Sequence, residues 1–193
     1  MKKLIMPLMV TGLCFAPSLS YAAASPYVSV SGGLGFMNNS SENGYSDAVS
    51  YNTGYLINGA VGLKNDTGRL EAEIGYHNNG VDTHNGSSVS NTDVSVWSFM
   101  ANGYLDYNMK GKGFSPYVMG GVGFADASIH SDSGDYGDTV FAWQVGAGVG
   151  IKATEKVAVD VGYRYFKPSD VSWNGNEYSL ASHNVVAGIR CSI

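Results

Sequence analysis

The stretch Val140-Phe-Ala-Trp-Gln-Val-Gly-Ala-Gly-Val-Gly-Ile-Lys152, followed by Ala-Thr-Glu-Lys and then Val157-Ala-Val-Asp-Val-Gly-Tyr-Arg-Tyr-Phe166, decides the fold. Every second residue is large and apolar: Phe141, Trp143, Val145, Val149, Ile151, then Val157, Val159, Val161, Tyr163 and Tyr165, with Ala147 the one small member. Between them stand Gln144, Gly146, Gly148, Gly150, Lys152, Asp160, Gly162 and Arg164. Strict period two marks strands with unlike faces, and two such runs joined by four polar residues make an antiparallel hairpin. The bulky face ends in aromatics, and the other carries charges and glycines. That distribution suits a barrel whose outer solvent is lipid, apolar outside and polar within.

The remaining chain extends the pattern to eight segments. The first is 27–37, with Val28, Val30, Leu34 and Phe36 outward. The second, 53–64, turns Tyr55, Ile57, Val61 and Leu63 outward and Asn58, Ala60, Gly62 and Lys64 inward. In the third, 69–77, Leu70, Ala72, Ile74 and Tyr76 oppose Arg69, Glu71, Glu73 and His77. The fourth, 94–107, shows Trp97, Phe99, Ala101, Leu105 and Tyr107 outward, with Ser98, Asn102, Tyr104 and Asp106 inward. The fifth, 116–129, has Val118, Val122 and Phe124 outward and Tyr117, Met119, Gly121 and Gly123 inward. The quoted hairpin supplies the sixth and seventh. The eighth closes the chain with Val185, Ala187, Ile189, Cys191 and Ile193 outward and Asn184, Val186, Gly188 and Arg190 inward.

Connections alternate long and short. Polar stretches at 38–52, 78–93, 130–139 and 167–179 read as long loops; 65–68, 108–115 and 153–156 read as short turns. An all-β, eight-stranded antiparallel up-and-down transmembrane barrel follows, with long loops outside the cell and both termini on the short-turn side. Charge divides the same way. Lys64, Lys110, Lys112, Lys152 and Lys156 lie at or beside short turns, whereas Glu42, Asp47, Asp82, Asp93, Asp132, Asp135, Asp138, Asp170 and Glu177 lie in long loops, as does one basic residue, Lys167.

Residues 1–24 read as a secretory signal peptide: Met1-Lys-Lys, an apolar run from Leu4 to Pro17, and small residues at the end, with cleavage after Ala22 or Ala24. Residues 25–193 are then the barrel. Leu13 before Cys14 is too large for a lipid-attachment site. Losing Lys2 and Lys3 takes the net charge from −5 to −7, and the sign excludes a basic nucleic-acid binder. Only Cys191 remains after cleavage, so no intrachain disulfide forms.

Several segments carry a family resemblance: Tyr27-Val-Ser-Val-Ser-Gly-Gly-Leu-Gly, Pro116-Tyr-Val-Met-Gly-Gly-Val-Gly-Phe, Trp143-Gln-Val-Gly-Ala-Gly-Val-Gly, Val161-Gly-Tyr-Arg-Tyr and His183-Asn-Val-Val-Ala-Gly-Ile-Arg. Together they resemble the small outer-membrane β-barrel family, which groups OmpA-like barrel domains, opacity-type proteins and rickettsial surface antigens. The likeness covers 26–193. It implies residence in the outer membrane of a Gram-negative envelope, contact with outer-membrane lipid and lipopolysaccharide, and insertion by the barrel-insertion machinery. Members usually end in an aromatic residue that this machinery reads; here Gly188 and Ile193 stand in the terminal signal. An OmpA protein carries a peptidoglycan-binding domain after the barrel, and no cell-wall tethering is inferred for this chain.

The inward charges Arg69, Glu71, Glu73, Asp106, Asp160, Arg164 and Arg190 are expected to form a structural salt-bridge network, because an eight-stranded barrel is just wide enough for side chains to fill. Their alternative role is a narrow, gated channel. The outward aromatics Tyr55, Tyr76, Trp97, Phe99, Tyr107, Phe141, Trp143, Tyr163 and Tyr165 are expected at the membrane interfaces. Glu71 and Glu73 share a face but no substrate cleft is visible, and Gly120-Gly-Val-Gly is followed by no helix that would make it a phosphate loop. Lipid A deacylases are also eight-stranded barrels, but Ser182 and His183 are adjacent and must point to opposite faces. His77, His84 and His130 are not grouped as a metal site. The sequence therefore points to a non-enzymatic, cofactor-free, monomeric surface barrel of the porin or surface-antigen kind, with loops available for adhesion. A small channel and a lipid A-modifying enzyme are the alternatives.

Overall fold

The computed structural model describes residues 24–37, 40–42, 45–51, 53–84, 87–88, 93–109, 113–131, 134–173, 176–178 and 181–193. The proposed signal peptide, apart from Ala24, lies outside them. Eight long strands form the wall: β1 Ser25–Met37, β2 Gly54–Lys64, β3 Gly68–His84, β4 Asp93–Asp106, β5 Phe114–Ser131, β6 Gly134–Lys152, β7 Val157–Pro168 and β8 Ser182–Ser192. Each pairs antiparallel with its neighbours in sequence, and β1 pairs with β8, so the sheet closes on itself. Closure satisfies the backbone without an edge, as a strand structure in lipid requires.

The faces follow the alternation. Val30, Ile57, Val61, Phe99, Leu105, Val122, Val145, Val185 and Ile189 lie exposed on the outer wall, while Glu71, Glu73, Ser98, Asn102, Gln144 and Asn184 are buried inside. A soluble protein does not display so continuous an apolar surface; lipid makes it the low-energy face. From Trp97 to Tyr107 the wall climbs ~33 Å along the strand at about 3.3 Å per residue, or ~25 Å at a tilt near 40°, the height of an outer-membrane apolar band.

Three strands run further than their apolar alternation. β3 continues to His84, where the sequence pattern ends at His77. The β5–β6 ladder continues from Asp126↔Thr139 to Ser131↔Gly134, through the stretch expected to be a loop. Backbone pairing between polar residues needs no buried face once the wall has left the membrane. Short paired segments also occur in the other long connections: Tyr45–Tyr51 pairs with Ser40–Glu42 and with the end of β3, and Val171–Trp173 pairs with Asn176–Tyr178.

Candidate functional site: the lumen and the girdles

The lumen is organised in layers, starting from the short-turn end. In the first layer, Arg69 donates from Nε and Nη2 to the two carboxylate oxygens of Asp106, at 2.9 and 3.0 Å. Arg190 does the same to Asp160, at 3.0 and 3.1 Å. Arg69 Nη1 lies 3.6 Å from Asp160, joining the pairs into one network. Two forked pairs hold both partners in fixed geometry, which a lysine could not do. The Arg69 guanidinium also lies 4.0 Å from the Tyr104 ring centroid and 4.8 Å from that of Tyr117.

The second layer centres on Glu71. Its carboxylate accepts from Tyr27 Oη at 2.9 Å, Tyr104 Oη at 2.9 Å and Ser29 Oγ at 3.3 Å. It has no ion-pair partner among the described residues. Hydroxyl donors stand where the sequence reading expected Glu71 to join a salt-bridge network. In the third layer Arg164 Nη1 meets Glu73 Oε2 at 2.6 Å, Gln144 Nε2 donates to Glu73 at 3.1 Å and to Asn102 at 2.7 Å, and Arg164 Nη2 reaches Tyr104 Oη at 3.2 Å. All seven inward charges thus lie in the lumen, six of them in ion pairs.

Strand register explains how so small a tube holds large side chains. Tyr27 pairs with Gly62, and Gly62 with Glu71, so the three share one row. A Cβ on Gly62 would stand 2.6 Å from Tyr27 Cζ; the missing side chain is the space the ring crosses to reach Glu71. Tyr117, Gly148 and Gly162 repeat the device. Cβ atoms on those glycines would meet the Tyr117 hydroxyl at 2.5 and 2.6 Å. The void left among Ser29, Asn58, Glu71, Tyr104, Arg164 and their neighbours is about 20 Å³, room for about one water.

Above the charges, level with Trp97, the lumen becomes apolar. Val96, Met100, Ala125, Ala142 and Phe166 form a buried cluster, and His77 stacks on Phe166 with ring centroids 5.0 Å apart. Sequence reading did not find this plug, nor the role of Tyr27. The signal was present in the parity of Val96, Met100 and Phe166, which are large apolar residues on the polar face.

On the outer face most of the aromatics named from the sequence lie toward the long-loop end. Toward the long-loop end, Tyr55, Tyr76 and Trp97 follow one another with centroids 6.3 and 4.9 Å apart, and Trp143 lies 5.5 Å from Tyr165. Phe141 and Tyr163 are exposed on the same face, and the Tyr163 hydroxyl hydrogen-bonds His183 Nδ1. Phe99 sits one turn of the pleat inside Trp97, and Tyr107 lies at the short-turn end. At and just beyond Trp97 the outer face turns polar: in the row of Trp97 itself Thr139 Oγ1 donates to Asp126 at 3.0 Å, and one pleat further Ser95 Oγ is hydrogen-bonded to Tyr76 Oη at 3.2 Å. Ser182 lies inside, bonded to Asn184, while His183 lies outside against Tyr163 and Tyr165, so the two form no nucleophile–base pair. Gly188 faces Ser31 and Asp160 across its two ladders, and the Ile193 N–H donates to Pro26 O at 3.0 Å.

These features define an outer-membrane-type transmembrane barrel of eight strands with a packed lumen. The chain matches the outer membrane protein beta-barrel domain family over residues 6–190 and belongs to that family. Its fold is similar to that of Neisserial surface protein A, with a TM-score of 0.68 at 21% identity, over 89% of this chain and 99% of that one. The N-terminal barrel domain of OprF from Pseudomonas aeruginosa aligns with a TM-score of 0.51 at 13% identity, over 89% of this chain and 100% of that one. At those identities the likeness shows the fold alone. An uncharacterized protein of Brucella abortus is 30% identical over 102 residues, 46% of this chain. The chain spans 34% of the length of that relative. Family membership and fold place the protein in the outer membrane.

Proposed function

We propose that the protein is a monomeric, non-enzymatic surface barrel that contributes to envelope structure and presents its long connections, residues 38–52, 78–93, 130–139 and 167–179, to extracellular ligands. The filled lumen carries this reading. Two forked ion pairs, the Glu73–Arg164 pair and the apolar plug leave a void of about 20 Å³, far below the 300–1,000 Å³ of ordinary ligand sites. Glu71 and Glu73 are occupied by hydroxyl, amide and guanidinium donors, which argues against a catalytic carboxylate pair. The strand extensions at 78–84, 127–131 and 134–138 raise polar backbone beyond the aromatic belt, where it can meet a partner.

In this reading the signal peptide directs export, the terminal signal at Gly188 and Ile193 serves insertion, and the aromatic belts seat the barrel against lipid and lipopolysaccharide. Planar bilayers test it: purified protein is expected to give no steady unitary current, and reproducible single-channel steps would establish the channel instead. The mass of lipid A from cells with and without the protein is expected to be identical. A gained or lost acyl chain would make it an enzyme.

A further inference from the structure

The lumen is shut toward the long loops but open toward the short turns. There the wall encloses a mouth of about 780 Å³, within the size range of ligand sites. Four cations line it, Lys64, Lys152, Lys156 and Arg190, against Asp66, Asp106 and Glu155. Most of these charges are already used. Asp106 is forked to Arg69, Arg190 is forked to Asp160, and Lys152 meets Glu155 at 2.9 Å.

Lys64, like Lys156 and Asp66, has no ion pair among the described residues, and it alone of the three stands on the strand wall. It is the last residue of β2, half-buried, on the inward face and in register with Arg69. Among the described residues its ammonium has no hydrogen bond or ion pair. The charges acting on it are Arg190, Arg69 and Lys152, all positive, and Asp106, which Arg69 already holds. A part-buried ammonium among like charges is unfavourable unless an anion joins it. The concentration of cations is also not the chain's average, since the whole carries −5. In the sequence, five of the six lysines after residue 24 stand at or beside the short turns.

We propose that the turn-side mouth is a binding site for a phosphate-bearing ligand, held by Lys64 with Lys152 and Lys156. Three ammoniums line one opening, Lys152 shared with the exposed Glu155 carboxylate, and as point charges they suit a phosphate of either a free solute or a lipid headgroup. The site is independent of the long loops and of the function proposed for them.

The test is calorimetric titration of the full chain in nanodiscs of zwitterionic lipid with inorganic pyrophosphate, at low salt and at ~150 mM salt, where exposed charges are screened beyond about 8 Å. Saturable one-site binding is expected at both. It should weaken about tenfold, as loss of a charge-assisted contact does, when Lys64→Gln is combined with Lys152→Gln. Lys64→Arg, which keeps the charge, should retain binding. Nanodiscs containing phosphatidylglycerol separate the sources: competition with pyrophosphate assigns the site to a lipid headgroup, and its absence to a free phosphate. No saturable binding, or equal binding by the double variant, overturns the proposal. If the double variant fails the heat-shift test for folding, Lys64→Arg decides: loss of binding in that folded variant overturns the proposal as well.

Discussion

Arg164 shows what a single residue does in a lumen this narrow. Its guanidinium is the only ionic partner of Glu73 among the described residues and also touches the hydroxyl of Tyr104, which in turn bonds Glu71. Replacing one member of a buried pair strands the other, at a cost of about 3–5 kcal/mol, whereas replacing both with apolar groups removes the stranded charge. Arg164→Ala is therefore expected to lower unfolding free energy by ~3 kcal/mol in urea titrations followed by the gel shift between boiled and unboiled samples. Glu73→Leu combined with Arg164→Met should cost less than Arg164→Ala alone. A single variant within about 0.5 kcal/mol of the parent would show that the pair is solvated and that the lumen is wet.

At the scale of the strand, the two faces and the height of the membrane set what each position tolerates. Val122 and Asp126 lie on the same outer face of β5, one in the apolar band opposite Ala101 and one at its edge, directly opposite Trp97. An arginine on the lipid face costs about 2–4 kcal/mol at the midplane and ~0–1 near the interface. Val122→Arg should be strongly destabilising and Asp126→Arg nearly neutral in reversible folding into lipid vesicles; equal costs would mean the band is misplaced. The strand extension is equally testable. Ala127 pairs with Asp138, so replacing 128–137 by Asn-Gly closes the ladder with a two-residue hairpin turn. The shortened chain should fold and keep its heat shift, because the removed ladder lies outside the membrane; failure to fold would make that ribbon part of the barrel's stability.

At the scale of the molecule, the eight strands and their faces were legible because lipid demands strict alternation over the whole band. Phe141 to Ile151 and Val157 to Tyr165 announce it without tertiary information. The strand ends were not legible. Residues 78–84 and 127–138 are polar, and polar residues read as loops whether or not their backbones pair. The charges of the lumen were found by parity, but their partners were not. Which residues share a row depends on ladder register, and only register shows that Tyr27 reaches Glu71 across Gly62 or that Phe166 meets His77. The turn-side mouth was half visible, as lysines beside short turns with Lys64 on the inward face, but with nothing to say that Lys64 lacks a counter-charge.

Everything above follows if the bulky face of this wall meets lipid and the charged face lies within. Spin labels placed one at a time on cysteines from 140 to 151, in a Cys191→Ser background in vesicles, test it most directly. Collision with oxygen, which partitions into lipid, should peak at 141, 143, 145, 147, 149 and 151, with 142, 144, 146 and 148 inaccessible both to oxygen and to a water-soluble nickel chelate. The opposite phase, or nickel access at 144 and 146, would contradict the account: the first would invert the faces, and the second would open the lumen.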